Sequence, residues 1–434
     1  MRTGSDPTAE TKDLSPIQQI NGYINQARSH GLIQLVDQGS QHNGHSVVVN
    51  GQELINFGSC GYMGLEFDPR VREGGIEAIR NYGIQFSSSR SYLSNPMYPK
   101  LEGLLENIFQ SPTLLASTTT LAHLAALPTL VSPDDVVLMD QQVHSSVQMA
   151  SKVLKANGVQ IEIISHSNVA RIERKIKAFK DTKKKIWYLG DGVYSMYGDF
   201  APVAELEHLL NTYEQFHLYL DDAHGMSWMG KRGCGYVLDN MKKHERLYVL
   251  TGLAKGFGTG GGAMILPNNE VKQLIRNCGG TQIFSGPIQP PLLGAGIESA
   301  KIHLRDDFES LQHELRDKMA FMTKALDNQP LPQMSAVNSP IRFLGIGPTG
   351  KAQEIAKILI KKGFWLNVAH FPAVGPHHSG LRFMVNRQTR ETDIENFVDA
   401  IKSAAYDIIG KDEEAISQIW KTFSKEYRYS LIQG

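Results

Sequence analysis

Three apolar runs end in residues that could do chemistry. Ile186–Leu189 leads into GDGVYSMYGD (Gly190–Asp199), His217–Leu220 into DDAHG (Asp221–Gly225), and Leu247–Leu250 into TGLAKGFGTGGG (Thr251–Gly262). An acid, a histidine and a lysine thus leave successive strand-like segments, and ligands of open α/β sheets collect at the carboxyl ends of strands. Taken singly, the Asp reads as a cap, the His as a satisfied core residue and the Lys as part of a solvated glycine loop. Together they read as a site. Gly256, Gly258 and Gly261 match G-x-G-x-x-G, but that fingerprint opens a helix after the first strand of its unit. Here it lies deep in the chain and runs into Ala263–Leu266, another strand-like segment. A Walker A loop would put Lys after the last Gly, followed by Ser or Thr, and this segment does not. The glycines read as room for a flat cofactor and a close backbone turn.

Pyridoxal phosphate makes chemical sense of the set. It needs a lysine amine to hold it, a carboxylate to keep its ring nitrogen protonated, a flat group against the ring and a donor-rich turn for the phosphate. Lys255 supplies the amine and Asp221 the carboxylate. His144, just after the Val136–Asp140 segment, can stack on the ring, and His224 can bond the phenolic oxygen. Thr118, Thr119 and Thr120 open a helical segment and suit the phosphate; alone they would read as a plain helix cap.

These residues need elements to hold them. Helical spacing marks Ile17–Gly31, Val71–Tyr82, Pro99–Phe109, Thr120–Leu130, Val147–Asn157 and Ala170–Phe179. Strand signals fall at Ile33–Val36, Ser46–Val49, Val136–Met139 and Ile161–Ile164, besides the runs already named. Short apolar strands alternating with helices predict an α/β domain with a mostly parallel sheet, its strands buried on both faces. Gln289–Ala325 reads as one long helix interrupted near its start by Pro290 and Pro291. Beyond it, Ser339–Leu344, Ala352–Lys362, Trp365–Asn367, Gly380–Val385 and Glu391–Ile409 outline a smaller α+β unit. The predicted layout is a disordered tail (1–16), an N-terminal segment (17–69), a large domain (70–325), a small C-terminal domain (326–409) and a charged, helical extension (410–434).

With 44 Lys+Arg against 44 Asp+Glu, the charge balance argues against binding nucleic acid or an anionic membrane through an overall field. Gln110–Pro133 carries no Lys, Arg, Asp or Glu, but Pro112, Ser117, the threonines, His123 and Pro128 interrupt it. It reads as a buried helix rather than a membrane span. Cys60, Cys234 and Cys278 lie far apart and form neither a disulfide framework nor a zinc motif. The expected protein is soluble and cytoplasmic, with no metal.

The motifs resemble those of the α-oxoamine synthases, a family of fold-type I pyridoxal-phosphate enzymes with a large domain and a smaller C-terminal α+β domain. The resemblance runs from about residue 55 to 409 and rests on SCGYMGL (Ser59–Leu65), SSSRSYLSNPMYPKLE (Ser87–Glu102), DQQVHSS (Asp140–Ser146), DGVYSMYGD, DDAHG, LAKGFGTGGG and GLRFMV (Gly380–Val385). It implies that Lys255 holds the cofactor and moves the substrate's α-proton, that His144 stacks on the ring and that Asp221 pairs with its nitrogen. It further implies that His224 and Ser195 hold the phenolic side, Arg382 binds the amino-acid carboxylate and Ser285 reaches the phosphate of a neighbouring subunit in a homodimer with shared sites. The implied reaction is decarboxylative condensation of a small amino acid with an acyl thioester, of coenzyme A or an acyl carrier protein, to an α-amino ketone. The basic run Lys183–Lys185 could dock a carrier protein but reads as a solvated loop.

Departures from the family pattern cluster around substrate and phosphate. Cys60 stands where the family has Asn, and a thiol replaces an amide poorly. Gly252 stands where the family has a phosphate-binding Thr, with Thr251 beside it as a substitute. Asp191 replaces a Glu, the threonine run replaces a glycine-rich turn, and Tyr98 falls near the family's His. The rival expectations are an aminotransferase or decarboxylase on the same cofactor, and a non-catalytic subunit, which would have no chemical need for Lys255.

Overall fold

The computed structural model describes residues 15–431 apart from 328, 337, 376 and 412. The expected tail lies outside the described residues up to position 14. Its last two positions are ordered, because Ser15 caps α1 (Pro16–Ser29) in a capping box with Gln18. Ile33–Val36 is not a strand: Gln34 takes a φ of 54°, a left-handed turn that breaks an extended run. The chain continues through β1 (Ser46–Val49), β2 (Gln52–Asn56), α2 (Pro69–Tyr82), α3 (Met97–Phe109), β3 (Thr113–Ala116) and α4 (Thr119–Leu130). Gln110–Pro133 therefore resolves into a buried strand and a helix. No helix among the described residues is long and apolar enough to cross a membrane.

The alternating stretch follows: β4 (Val136–Asp140), α5 (Ser145–Ala156), β5 (Gln160–Ile164), α6 (Val169–Phe179), β6 (Ile186–Asp191), α7 (Val203–Thr212), β7 (Phe216–Asp221), α8 (Tyr236–Asn240), β8 (Leu247–Gly252) and β9 (Gly262–Ile265). Helix α7, absent from the sequence reading, buries Val203, Leu206, Leu209 and Leu210, a spacing of one helical face. The seven-stranded sheet has the order β3-β9-β8-β7-β6-β4-β5. Neighbours from β8 to β5 run parallel, and β9 runs against both β8 and β3. Both faces are covered, as the apolar runs predict. Along β6, Ile186 and Tyr188 join one core, while Trp187 and Leu189 join the other.

After α9 (Asn269–Cys278) and the single turn α10 (Gly280–Ile283), the expected long helix is two: α11 (Pro290–His303) and α12 (Phe308–Leu326). Pro290 and Pro291 begin α11 rather than interrupt it, since the first turn has no N–H bond to lose. The break falls at 304–307. The remaining elements are β10 (Ile341–Gly347), α13 (Thr349–Lys361), β11 (Phe364–Trp365), β12 (Asn367–Ala369), β13 (Ser379–Met384), α14 (Glu391–Ile409) and α15 (Glu413–Leu431). They form a sheet β10-β13-β12 and a second sheet β1-β2-β11 that takes two strands from the N-terminal segment. The backbone of Phe57 donates to Trp365 at 2.8 Å, and Asn367 Nδ2 reaches Gly58 O at 3.0 Å. Phe57, Phe364, Phe383 and Phe397 share one core with Phe423 of α15, and Trp420 Nε1 donates to Pro330 O at 2.9 Å.

Candidate active site

The strand register sets the site. Asp191, Asp221 and Leu250 are Cα partners at the ends of β6, β7 and β8, so two carboxylates stand side by side. Thr118, Thr119, Thr120, His144, Asp221, His224 and Lys255 line one cavity of about 300 Å³ with Asp191. Seven of the expected site residues are thus brought together from four segments. Arg382, Ser195 and Cys60 meet beside it: Arg382 Nε donates to Ser195 O at 2.7 Å and its Nη2 to Cys60 Sγ at 3.7 Å. Ser195 also lines an adjoining cavity of about 400 Å³ that shares His144.

Two expected residues are placed elsewhere. The Thr251 hydroxyl donates to Asp222 O at 3.2 Å and lies outside the cavity lining. Ser285 sits half-buried in the loop before α11, away from the cavity of its own chain, where Ser117 Oγ donates to the neighbouring Gly286 O.

Asp221 is buried, which alone would push its carboxyl up, yet the hydrogen bond from His123, followed by the charges of His123, Lys255 and His144, holds it below the ordinary range. Oδ1 accepts the Ala223 N–H at 3.0 Å and Oδ2 the His123 Nε2 at 2.9 Å. Asp191 moves the other way, because burial and the neighbouring Asp221 charge both favour its neutral form. His224 is held well below its usual range by burial and by Lys255, Arg382 and His144. Its Nδ1 lies 2.7 Å from the Tyr62 hydroxyl, itself pushed up by burial, so with Tyr62 donating the ring hydrogen sits on Nε2. Burial likewise lowers His144.

The cavity suits a flat, phosphorylated pyridine. A carboxylate has about four acceptor positions, so Asp221 can take a third donor. The Lys255 amine makes no hydrogen bond or ion pair among the described residues, while its carbonyl accepts from Gly258 N at 3.0 Å. The first turn of α4 offers free backbone N–H groups, a natural anion cradle. Thr118 is partly spent, since its hydroxyl accepts from Leu121 N at 3.1 Å. The glycine opposite completes the cradle: a Cβ on Gly262 would lie 2.8 Å from Thr119 N.

Sequence reading missed two partners. His123, wholly buried on α4, spans Asp221 and Tyr219. Its signal was present: an imidazole in an otherwise uncharged helix needs a buried partner. The second is His166, with Nδ1 at 3.1 Å from Asp140 Oδ1 and Nε2 at 2.6 Å from Asp199 Oδ2. It ties the end of β4 to the SMYGD loop that carries Ser195. Burial would lower this imidazole, but the two carboxylates outweigh burial and raise it from 6.5 to about 10. A raised folded value means the linkage supports folding fully below pH 6.5 and loses that support as pH climbs towards 10. We expect the thermal midpoint to fall across that window. His166→Gln should cost about 3–5 kcal/mol of stability below pH 6.5, with the gap to wild type closing towards pH 10, so that its profile is flatter. A variant with the wild-type profile would refute this.

The chain belongs to the aminotransferase class I and II family, whose model matches residues 52–401. Its relatives are of the α-oxoamine synthase kind that the motifs resemble. It is 27% identical over 363 residues to 8-amino-7-oxononanoate synthase of Thermoanaerobacter pseudethanolicus, covering 83% of this chain and 90% of that one. It is 28% identical over 366 residues to the same enzyme of Dechloromonas aromatica, covering 83% and 92%. Serine palmitoyltransferase of Sphingomonas wittichii shares the fold, with a TM-score of 0.82 at 20% identity over 96% of this chain and 100% of that one. The fold is the expected fold-type I.

Proposed function

We propose that this protein catalyses the pyridoxal-phosphate-dependent decarboxylative condensation of a small amino acid with an acyl thioester, forming an α-amino ketone. The observation that carries this reading is the meeting of an unpaired Lys255, an ionised Asp221 and His144 in one cavity, with Arg382 beside it. The curated relatives support the condensing branch. The bound cofactor supplies an electron sink for a carbanion at the amino acid's Cα. Lys255 holds the cofactor and moves the Cα proton, while Asp221 keeps a negative charge at the ring nitrogen. His144 would lie against the ring, and the neutral His224, fixed by Tyr62, would donate to the phenolic oxygen. Arg382, held by Ser195 O and Cys60 Sγ, binds the substrate carboxylate. The three unpaired thiols support the cytoplasm as the compartment.

The test is absorbance of the cofactor-loaded protein with glycine, alanine or serine singly, followed by an acyl thioester. One amino acid should shift the visible band, and thioester should then release thiol and carbon dioxide in equal amounts. Keto acid formed without thioester consumption would instead mark an aminotransferase. Arg382→Ala should cut kcat/KM for the amino acid by about 10²-fold, mostly through KM, because a charge-assisted pair is lost. An unchanged KM would remove Arg382 from that role.

We also infer a homodimer with shared sites. Tyr92 (102% exposed), Phe284 (89%), Leu93 (66%) and Ile84 (64%) leave apolar side chains bare on two loops, and Ser89 Oγ ties these loops together through Ile283 O at 2.6 Å. An apolar patch of this kind suits a partner surface, and the partner would receive Ser285. Sedimentation should show a dimer for the wild type and a monomer with little activity for Phe284→Asp with Tyr92→Asp. A fully active monomeric wild type would overturn the inference.

A further inference from the structure

Two buried carboxylates on adjacent strands pose a choice. Both cannot be charged cheaply at such proximity, and a cofactor ring nitrogen needs the charge on one particular member. Tyr219 and Asp221 are two residues apart on β7, so both project to the face where α4 packs. There His123 bridges them, with Nδ1 at 2.9 Å from the Tyr219 hydroxyl and Nε2 at 2.9 Å from Asp221 Oδ2. With the ring hydrogen on Nε2 every group is satisfied: Tyr219 O–H donates to Nδ1, and Nε2–H donates to Asp221. Asp191 receives the backbone N–H of His144 at 3.2 Å and, among the described residues, no side-chain donor.

We propose that His123 is a positioning residue that fixes the single negative charge of this carboxylate pair on Asp221 rather than Asp191. The inference rests on the pyridoxal-phosphate reading only for its purpose. The charge choice is made by the protein's own residues. The other titratable groups facing the pair are Lys255 and His144, which act on both or on Asp221, Asp222, which acts on Asp221, and Asp140, Tyr188 and Tyr194, which act on Asp191. Lys255 serves both carboxylates, so it does not decide between them; Tyr219 decides only through the tautomer of His123.

The experiment follows the side-chain carboxyl carbons of Asp191 and Asp221 by NMR in the cofactor-free protein at pH 7, alongside the dissociation constant for added pyridoxal phosphate. In the wild type Asp221 should report a carboxylate and Asp191 a carboxylic acid. His123→Leu should move the two resonances towards each other and raise the dissociation constant about ten- to a hundredfold. His123→Gln, whose amide can still reach Oδ2, should stay within about threefold of wild type, while the shorter His123→Asn should follow Leu. The comparison of Gln with Asn decides the matter if the Leu variant does not fold. Wild-type resonances in Leu, or equal behaviour of Gln and Asn, would overturn the proposal. A wild-type protein that binds no pyridoxal phosphate would overturn the functional reading, while the carboxyl resonances still judge His123.

Discussion

Lys255→Ala should fold as the wild type does and lose turnover by about 10³-fold or more. The two halves of that expectation have separate causes. The half-buried Lys255 amine makes no hydrogen bond or ion pair among the described residues, so its removal strands no hydrogen-bond partner and takes from Asp221 one of several charges that hold it ionised. The stability change should stay within about 1 kcal/mol. The chemical loss is large because the same amine both anchors the cofactor and carries the Cα proton. Borohydride should add the cofactor's mass to the wild-type chain and leave the variant unmodified. Added methylamine should restore part of the rate, since a small amine can enter the vacated space. A variant that keeps a tenth of the activity would show that another group moves the proton.

Asp221→Asn should cost about 10²-fold or more in kcat with the amino-acid KM nearly unchanged. The amide fills the same space, but its one oxygen can accept from only one of His123 and Ala223 N, and it brings no negative charge to hold a protonated ring nitrogen. The loss should fall on carbanion formation, so the isotope effect with an α-deuterated amino acid should rise towards its full value. Stability offers an independent check. The folded carboxyl lies below its ordinary 3.8, so it supports folding above that pH and loses the support as pH falls further. Wild type and variant should therefore converge in acid. Wild-type turnover in the variant would remove Asp221 from the chemistry.

The strands of the large sheet were legible because each is a short, near-continuous apolar run buried on both faces, and the residues after them follow from topology. Legibility ended where a signal was divided between distant segments. Strand β3 is four residues inside a long uncharged stretch and looks like part of the helix that follows. β11, two residues long, is a strand only through its pairing with β2, which itself pairs mainly with β1. The cavity residues Lys255, His144 and Asp221 could be named from spacing and motif. Their supports could not, since nothing in one sequence joins His123 to Tyr219 or His166 to Asp199 and Asp140. Thr251 shows the opposite failure: a suitable side chain at almost the right position, turned by its backbone towards Asp222 O.

The β1-β2-β11 sheet also sets an order of events at the ribosome. Gly58 leaves the exit tunnel long before Asn367, which lies 309 residues downstream. At ordinary synthesis rates that interval lasts from about fifteen seconds to a minute. The seven-stranded sheet draws its strands from between these two points and can assemble in the meantime. The opening hairpin waits with an unpaired strand edge, the kind of surface that recruits wrong neighbours. Nascent chains stalled before residue 364 should accordingly hold a protease-resistant large sheet and a cleavable amino-terminal arm.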